Sequence, residues 1–166
     1  FVHNCPHAAC AYAGYVKGYT TTQDAERDDE IATLMKGCLA EASEGIRAEF
    51  HPTLEQLEMV GCSMKAKEEE VERISRVAEN PVRKLGRHDR LTGAAMYCLK
   101  HGIEPVNIAK AIAYGLAYDN REDPNAVRMQ EMIAEKGIRP AAARILGISE
   151  EEKLMNMVME EYDRLK

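Results

Sequence analysis

The sequence predicts an all-α fold in a single domain spanning residues 1–166. Apolar residues recur at helical spacing through most of the chain. No stretch alternates as a half-buried strand would, and residues that start and stop helices bracket the periodic segments. Composition agrees. Trp is absent, there are two Phe and nine Met, and such a chain fills a helical core with flexible and small side chains.

The first helix is predicted from about Cys5 to Val16, with Asn4 as its N-cap, Pro6 in its first turn and Gly18 ending it. Ala8, Ala11 and Tyr15 form its packing face. The small residues beside them admit a close backbone neighbour, either a helix of this domain or a second domain lying over it. Thr20 to Thr22 cap a short turn over Gln23 to Arg27. Asp28 caps the next helix, whose stripe runs through Ile31, Leu34, Met35, Cys38, Leu39, Ile46 and Phe50 to a stop at Pro52. Gly37 and Gly45 weaken it locally.

Thr53 with Gln56 reads as a capping box ahead of Leu54, Leu57 and Val60. Residues Lys65 to Arg73 read as a solvated helix face with pairs such as Glu69 and Arg73, over a stripe of Val71, Ile74 and Ala78. From Asn80 to Leu91, Pro81 and Gly86 argue against a regular helix, and Asp89 is placed to cap the one that follows. Leu91 to Lys100 is a buried helix ended by His101-Gly102. Pro105 starts another, apolar on nearly all sides as far as Leu116, with the hydroxyls of Tyr114 and Tyr118 near the surface. Pro124 opens a helix stopped by Gly137, and Arg139-Pro140 a short one stopped by Gly147. Ser149 caps the last, whose inner face is Leu154, Met157, Val158 and Tyr162.

The net charge of -6 argues against a general nucleic-acid binder. Five cysteines, Cys5, Cys10, Cys38, Cys62 and Cys98, are odd in number and match no disulfide framework, which points to a reducing cytoplasm. No apolar run is long enough to cross a membrane, and no signal peptide is visible.

Groups capable of chemistry concentrate in two places. Within Phe1 to Cys10, Asn4 and His7 lie three apart at a helix start, where unpaired N–H groups favour negative charge. A carbonyl oxygen gaining charge during a reaction would be stabilised there. The plainer reading makes Asn4 a helix cap and His7 a satisfied core histidine. His3, Cys5, His7 and Cys10 are four potential metal ligands, but their spacing fits neither a Cys-x-x-Cys pair nor two distant pairs, and no metal is expected. The second place is Arg83 to Arg90. Four permanent cations and His88 fall within eight residues of an otherwise acidic chain. Arginine presents a planar fork of donors to phosphate oxygens, whereas a solvated loop paired to carboxylates is the bland alternative.

The order His3-Asn4-Cys5-Pro6-His7-Ala8, Asp24-Ala25 with Asp29-Glu30-Ile31, and Lys36-Gly37 with Glu41 opens a longer pattern. Asn80-Pro81-Val82-Arg83-Lys84-Leu85, Asp89-Arg90-Leu91, Asp123-Pro124 and Glu135-Lys136-Gly137 complete it. This set resembles the polyol-specific long-chain dehydrogenases, and most the mannitol-1-phosphate 5-dehydrogenase branch, along the whole chain. The resemblance implies a multi-helical bundle of the 6-phosphogluconate dehydrogenase C-terminal type. It implies the substrate-side domain of an NAD-dependent oxidoreductase that interconverts mannitol 1-phosphate and fructose 6-phosphate. Asn4 would donate to the reacting oxygen, His7 would orient it, and Arg83, Lys84 and Arg90 would bind substrate. The family's catalytic lysine lies five residues before its Asn, two residues upstream of Phe1. The resemblance also implies an N-terminal nucleotide-binding domain as partner, and since no Gly-x-Gly-x-x-Gly follows a strand pattern here, that domain is expected on polypeptide preceding this chain. The chain alone is expected to be inactive. A helical interaction module or metal-binding module is the alternative.

Overall fold

A computed structural model describes residues 1–53, 56 and 71–166. Among them the architecture is all-α, with ten helices: α1 Asn4–Val16, α2 Thr22–Glu26, α3 Asp29–Phe50, α4 Ile74–Ala78, α5 Pro81–Lys84, α6 Thr92–Lys100, α7 Val106–Leu116, α8 Pro124–Lys136, α9 Ile138–Leu146 and α10 Lys153–Arg164. The helix predicted beyond Thr53, with Leu54, Leu57, Val60 and Glu69, lies outside the described residues. Its capping box is visible, since Thr53 N–H donates to Gln56 Oε1 at 2.8 Å and Gln56 N–H donates to Thr53 Oγ1 at 3.3 Å.

The central helix is α1, which packs against α3, α4 and α7. Nine of its thirteen residues are buried, so only Asn4, His7, Tyr15 and Val16 keep contact with the surface. Its small residues serve neighbours within the domain. A Cβ added at Gly14 would meet Ile74 Cδ1 at 2.7 Å and Ala25 Cβ at 2.9 Å. Asn4 is not the cap. The N-cap is His3, with helical backbone and no side-chain cap bond, and Asn4 is the first helical residue. Its amide is therefore not committed to capping.

Asp28 caps α3 as expected, accepting from Glu30 N–H and Ile31 N–H at 3.0 and 3.1 Å. Helix α3 crosses α6 and α7 closely. A Cβ at Gly45 would lie 2.8 Å from Cys98 Sγ and 3.0 Å from Cys98 N, and one at Gly37 would collide with Asn107. Glycines that read as weak points in a helix are thus the contact points of two helix crossings. Glu41 reaches from α3 to the start of α7 and accepts from Asn107 N–H, Asn107 Nδ2 and Ile108 N–H at 2.9, 2.6 and 2.9 Å. A carboxylate there satisfies donors that have no partner within α7.

Several local expectations are corrected. Val71 to Arg73 is not helical but extended, and Arg73 forms an antiparallel bridge with Thr21. Val71 is accordingly 70% exposed rather than part of a buried stripe. Pro81 opens a four-residue helix instead of preventing one, because Asn80 in the left-handed region accepts from Arg83 N–H. Asp89 does not cap α6 with its side chain, which instead takes Arg90 N–H and Nε at 2.7 and 2.8 Å. Tyr118 is fully buried between Tyr12 and Tyr15. Ser149 takes part in a turn with Glu151, and α10 starts at Lys153 with Met155 and Met159 buried beside Leu154 and Val158.

Candidate functional site

A cleft of about 420 Å³ opens between the start of α1, helices α2 and α3, and the extended segment carrying Glu72. Pro6, Met35 and Leu39 supply apolar wall, while His3, His7, Gln23, Glu26, Lys36 and Glu72 supply polar groups. It forms because α1 turns its small and apolar residues inward to α3 and α7, leaving His7 on the remaining side. The N-terminal half of α3 faces it with Ala32, Met35, Lys36 and Leu39, a run at helical spacing.

His7 Nε2 stands 2.8 Å from Glu72 Oε2, with the two side chains 26% and 29% exposed. Glu72 is fixed by its backbone on both sides. Its N–H donates to Gln23 Oε1 at 3.2 Å, and its carbonyl accepts from Thr22 N–H at 3.0 Å. Ile74 N–H donates to the Thr20 carbonyl at 3.0 Å and extends the pairing. The rings of His3 and His7 lie nearly parallel, 15° apart with centroids 6.2 Å apart. Asn4 is exposed one turn before His7, so the two expected site residues share the open end of a largely buried helix.

The basic stretch forms a second cluster around Asp89. Arg83 Nη1 lies 3.3 Å from Asp89 Oδ2 and Arg90 Nε 2.8 Å from Oδ1. Burial would raise the Asp89 carboxyl, but the hydrogen bonds and charge of Arg90, with the charge of Arg83, hold it below the usual range. Lys84 points inward. It is 8% exposed and its Nζ donates to the Val77 carbonyl at 2.7 Å. Burial, then Arg90 and Arg83, lowers its pKa. Of the three predicted substrate-binding cations, Lys84 is thus engaged in the fold, because α5 turns its side chain under the chain end of α4. None of Arg83, Lys84 and Arg90 lines the cleft beside His7.

The four potential metal ligands are split by the helix that carries them. Cys5 and Cys10 are buried, whereas His3 and His7 face the cleft. The Cys10 thiol donates to the Thr22 carbonyl at 3.7 Å and is pushed up to about 12, first by burial and then by Glu26, so it stays protonated. The Cys38 thiol is raised too, by a hydrogen bond with Cys5 and by burial. Among the described residues no group of three or more His, Cys, Asp or Glu could hold a metal ion.

Sequence reading missed Glu72 and gave Lys36 no role. Glu72 sits in a charge run that looks like a solvated helix face. Only the pairing of residues 72–74 with Thr20 to Thr22 brings it to His7. Lys36 carried a weak signal, its place between Met35 and Leu39 at helical spacing.

The whole chain, residues 1–166, matches the family described as the mannitol dehydrogenase C-terminal domain. It is 36% identical over 162 residues to a mannitol-1-phosphate 5-dehydrogenase of Bacillus licheniformis, covering 96% of this chain and 43% of that protein. It is 34% identical over 169 residues to one of Caldanaerobacter subterraneus subsp. tengcongensis, covering 100% of this chain and 44% of that one. A third, from Clostridium acetobutylicum, is 32% identical over 169 residues with the same coverage. The chain thus spans less than half the length of these curated relatives.

Proposed function

The chain belongs to the mannitol dehydrogenase C-terminal domain family, and on that premise we propose that it is the substrate-side domain of an NAD-dependent oxidoreductase interconverting mannitol 1-phosphate and fructose 6-phosphate. The observation that carries this reading is the open end of α1. In a helix otherwise sunk in the core, Asn4 and His7 alone of its first eight residues are kept from burial, and His7 lines a cleft.

The nicotinamide nucleotide does not fit the residues described. The sequence has no Gly-x-Gly-x-x-Gly, and the described residues hold no strand beyond the isolated bridge at Thr21 and Arg73. Its site is assigned to the nucleotide-binding domain that the family resemblance implies, on polypeptide outside this chain. This chain handles the substrate. An alcohol that becomes a carbonyl must lose its hydroxyl proton, and the oxygen carries extra negative charge on the way. The Asn4 amide donates to that oxygen, and the His7 imidazole fixes its direction. The proton acceptor is the lysine that the resemblance places two residues before Phe1. Arg83 and Arg90 bind the phosphate with the guanidinium nitrogens that do not meet Asp89.

The same reading places the protein in the cytoplasm. Cys5, Cys10, Cys38 and Cys98 are free thiols, and no helix among the described residues is long and apolar enough to cross a membrane.

The test is turnover by the full-length polypeptide that contains this chain, with mannitol 1-phosphate and NAD. Asn4→Ala is expected to lower kcat about 100-fold, the usual cost of losing one oxyanion donor. KM should change far less. A wild-type protein without this activity, or an Asn4→Ala variant with unchanged kcat, overturns the reading. The 166-residue chain by itself is expected to reduce no NAD.

A further inference from the structure

We propose that Glu72 is a positioning residue for His7, fixing which imidazole nitrogen faces the substrate; the inference rests on the function proposed above. An ionised carboxylate can only accept hydrogen bonds. At 2.8 Å from Glu72 Oε2, the His7 Nε2 must therefore carry a proton. The neutral ring is then held as the Nε2–H tautomer, and Nδ1 is the nitrogen left to face a reacting oxygen. A carboxylate that orients a working histidine through the nitrogen turned away from the chemistry is a recurrent arrangement.

A surface ion pair would be a trivial explanation, since such pairs are worth little and move freely. Three observations separate this contact from one. Both side chains are about three-quarters covered, at 26% and 29% exposed. The Glu72 backbone is pinned from both sides by Gln23 Oε1 and Thr22 N–H, and the bridge at Arg73 continues the pairing. Glu72 itself also lines the cleft that His7 lines. The carboxylate is thus anchored to the α2 side of the cleft and reaches across to α1. The imidazole is held between two elements rather than by its own rotamer alone.

Two measurements on the full-length polypeptide test this. The first is the ¹⁵N shifts of His7 in ¹⁵N-histidine-labelled protein, assigned with His7→Gln and read at a pH where the ring is neutral. Wild type should show Nε2–H as the main form. Glu72→Gln should show a mixture, because an amide can either donate to Nε2 or accept from it. The second is steady-state kinetics. Glu72→Gln should lower kcat by about 10–100-fold, the range typical of losing an orienting partner, with KM within about twofold. A wild-type ring in the Nδ1–H form, or a Glu72→Gln protein with wild-type kcat and tautomer, overturns the positioning role. If Glu72→Gln does not fold, the wild-type tautomer alone decides. If instead the wild type fails to oxidise mannitol 1-phosphate, or His7→Ala keeps full turnover, the proposed function is what fails, and the tautomer still reports on the contact.

Discussion

Helix α3 carries two stripes of residues at the same spacing, and they meet different fates. Ile31, Leu34, Cys38, Ala42 and Gly45 are buried against α1, α6 and α7. Ala32, Met35, Lys36 and Leu39, rotated around the same cylinder, form a wall of the cleft in front of His7. Leu39 is the same residue type as Leu34 in the first stripe, and Met35 is more apolar than Ala42 or Gly45 there. What separates the two is the neighbour. On one side glycine and alanine let helices close until backbone meets side chain; on the other the α1 terminus and the Glu72 segment stand apart. Periodicity reports which way a helix faces but not whether another element will close on that face.

The largest effect expected on the packed side is at Glu41. Glu41→Ala would leave three donors at the α7 start without their acceptor, at a cost of about 2–3 kcal/mol in chemical denaturation. The exposed neighbour Glu44, changed to Ala, should stay within about 0.5 kcal/mol. Equal costs would mean that the Glu41 contacts contribute nothing to the packed side.

Next is Gly45→Ala. In a free helix the change would gain about 1 kcal/mol. Here the new Cβ falls 2.8 Å from Cys98 Sγ and 3.0 Å from Cys98 N, a backbone atom that cannot swing away. The clash should reverse the sign, giving a net loss of roughly 1–2 kcal/mol. On the cleft side, Lys36→Ala should alter stability by less than about 0.5 kcal/mol. Under the function proposed above, the change should instead raise the KM of the full-length protein, because Lys36 lines the cleft beside His7. A Lys36 variant as unstable as Gly45→Ala would erase the distinction between the stripes.

The same distinction marks how far the sequence could be read. Helix class, the run of α3, the Asp28 cap and the Thr53–Gln56 box were all legible, because each rests on residues close together in sequence. So was the placement of Asn4 and His7 one turn apart on one helix, which needs only helical spacing. The partner of His7 was not, because Glu72 arrives through an extended pairing between segments 50 residues apart, carried by the single bridge of Thr21 with Arg73. The inward turn of Lys84 was hidden for a similar reason. A lysine among arginines reads as a surface cation, and only the chain end of α4 supplies the Val77 carbonyl that draws it in. Asn4 was misread as a cap because its residue type favours that role, although helix α1 starts one residue earlier.

The smallest expected effect lies at the head of α3, where both stripes begin. Glu30 Oε2 meets Lys17 Nζ at 2.7 Å and Oε1 meets Lys110 Nζ at 2.9 Å. The hydrogen bond from Lys17, then that from Lys110, lowers its carboxyl from 4.5 to about 2. The folded chain therefore holds Glu30 ionised at acidities where the unfolded chain would protonate it. Its contribution is whole above pH 4.5 and is lost as pH falls toward 2. With its side chain 52% exposed, Glu30 is screened by solvent, so the contribution is modest. Asp28, beside it, is lowered as well by the Ile31 N–H and by Lys17, so both carboxylates act in the same direction. The expected result is a melting temperature that drops less between pH 5 and pH 2.5 in Glu30→Gln than in the unaltered chain. High salt should shrink the difference, because exposed pairs are screened within about 10 Å at 0.1 M and less above it. Parallel curves for the two proteins would show that the lysines do not hold Glu30 ionised, and that the head of α3 is fixed by the Asp28 cap alone.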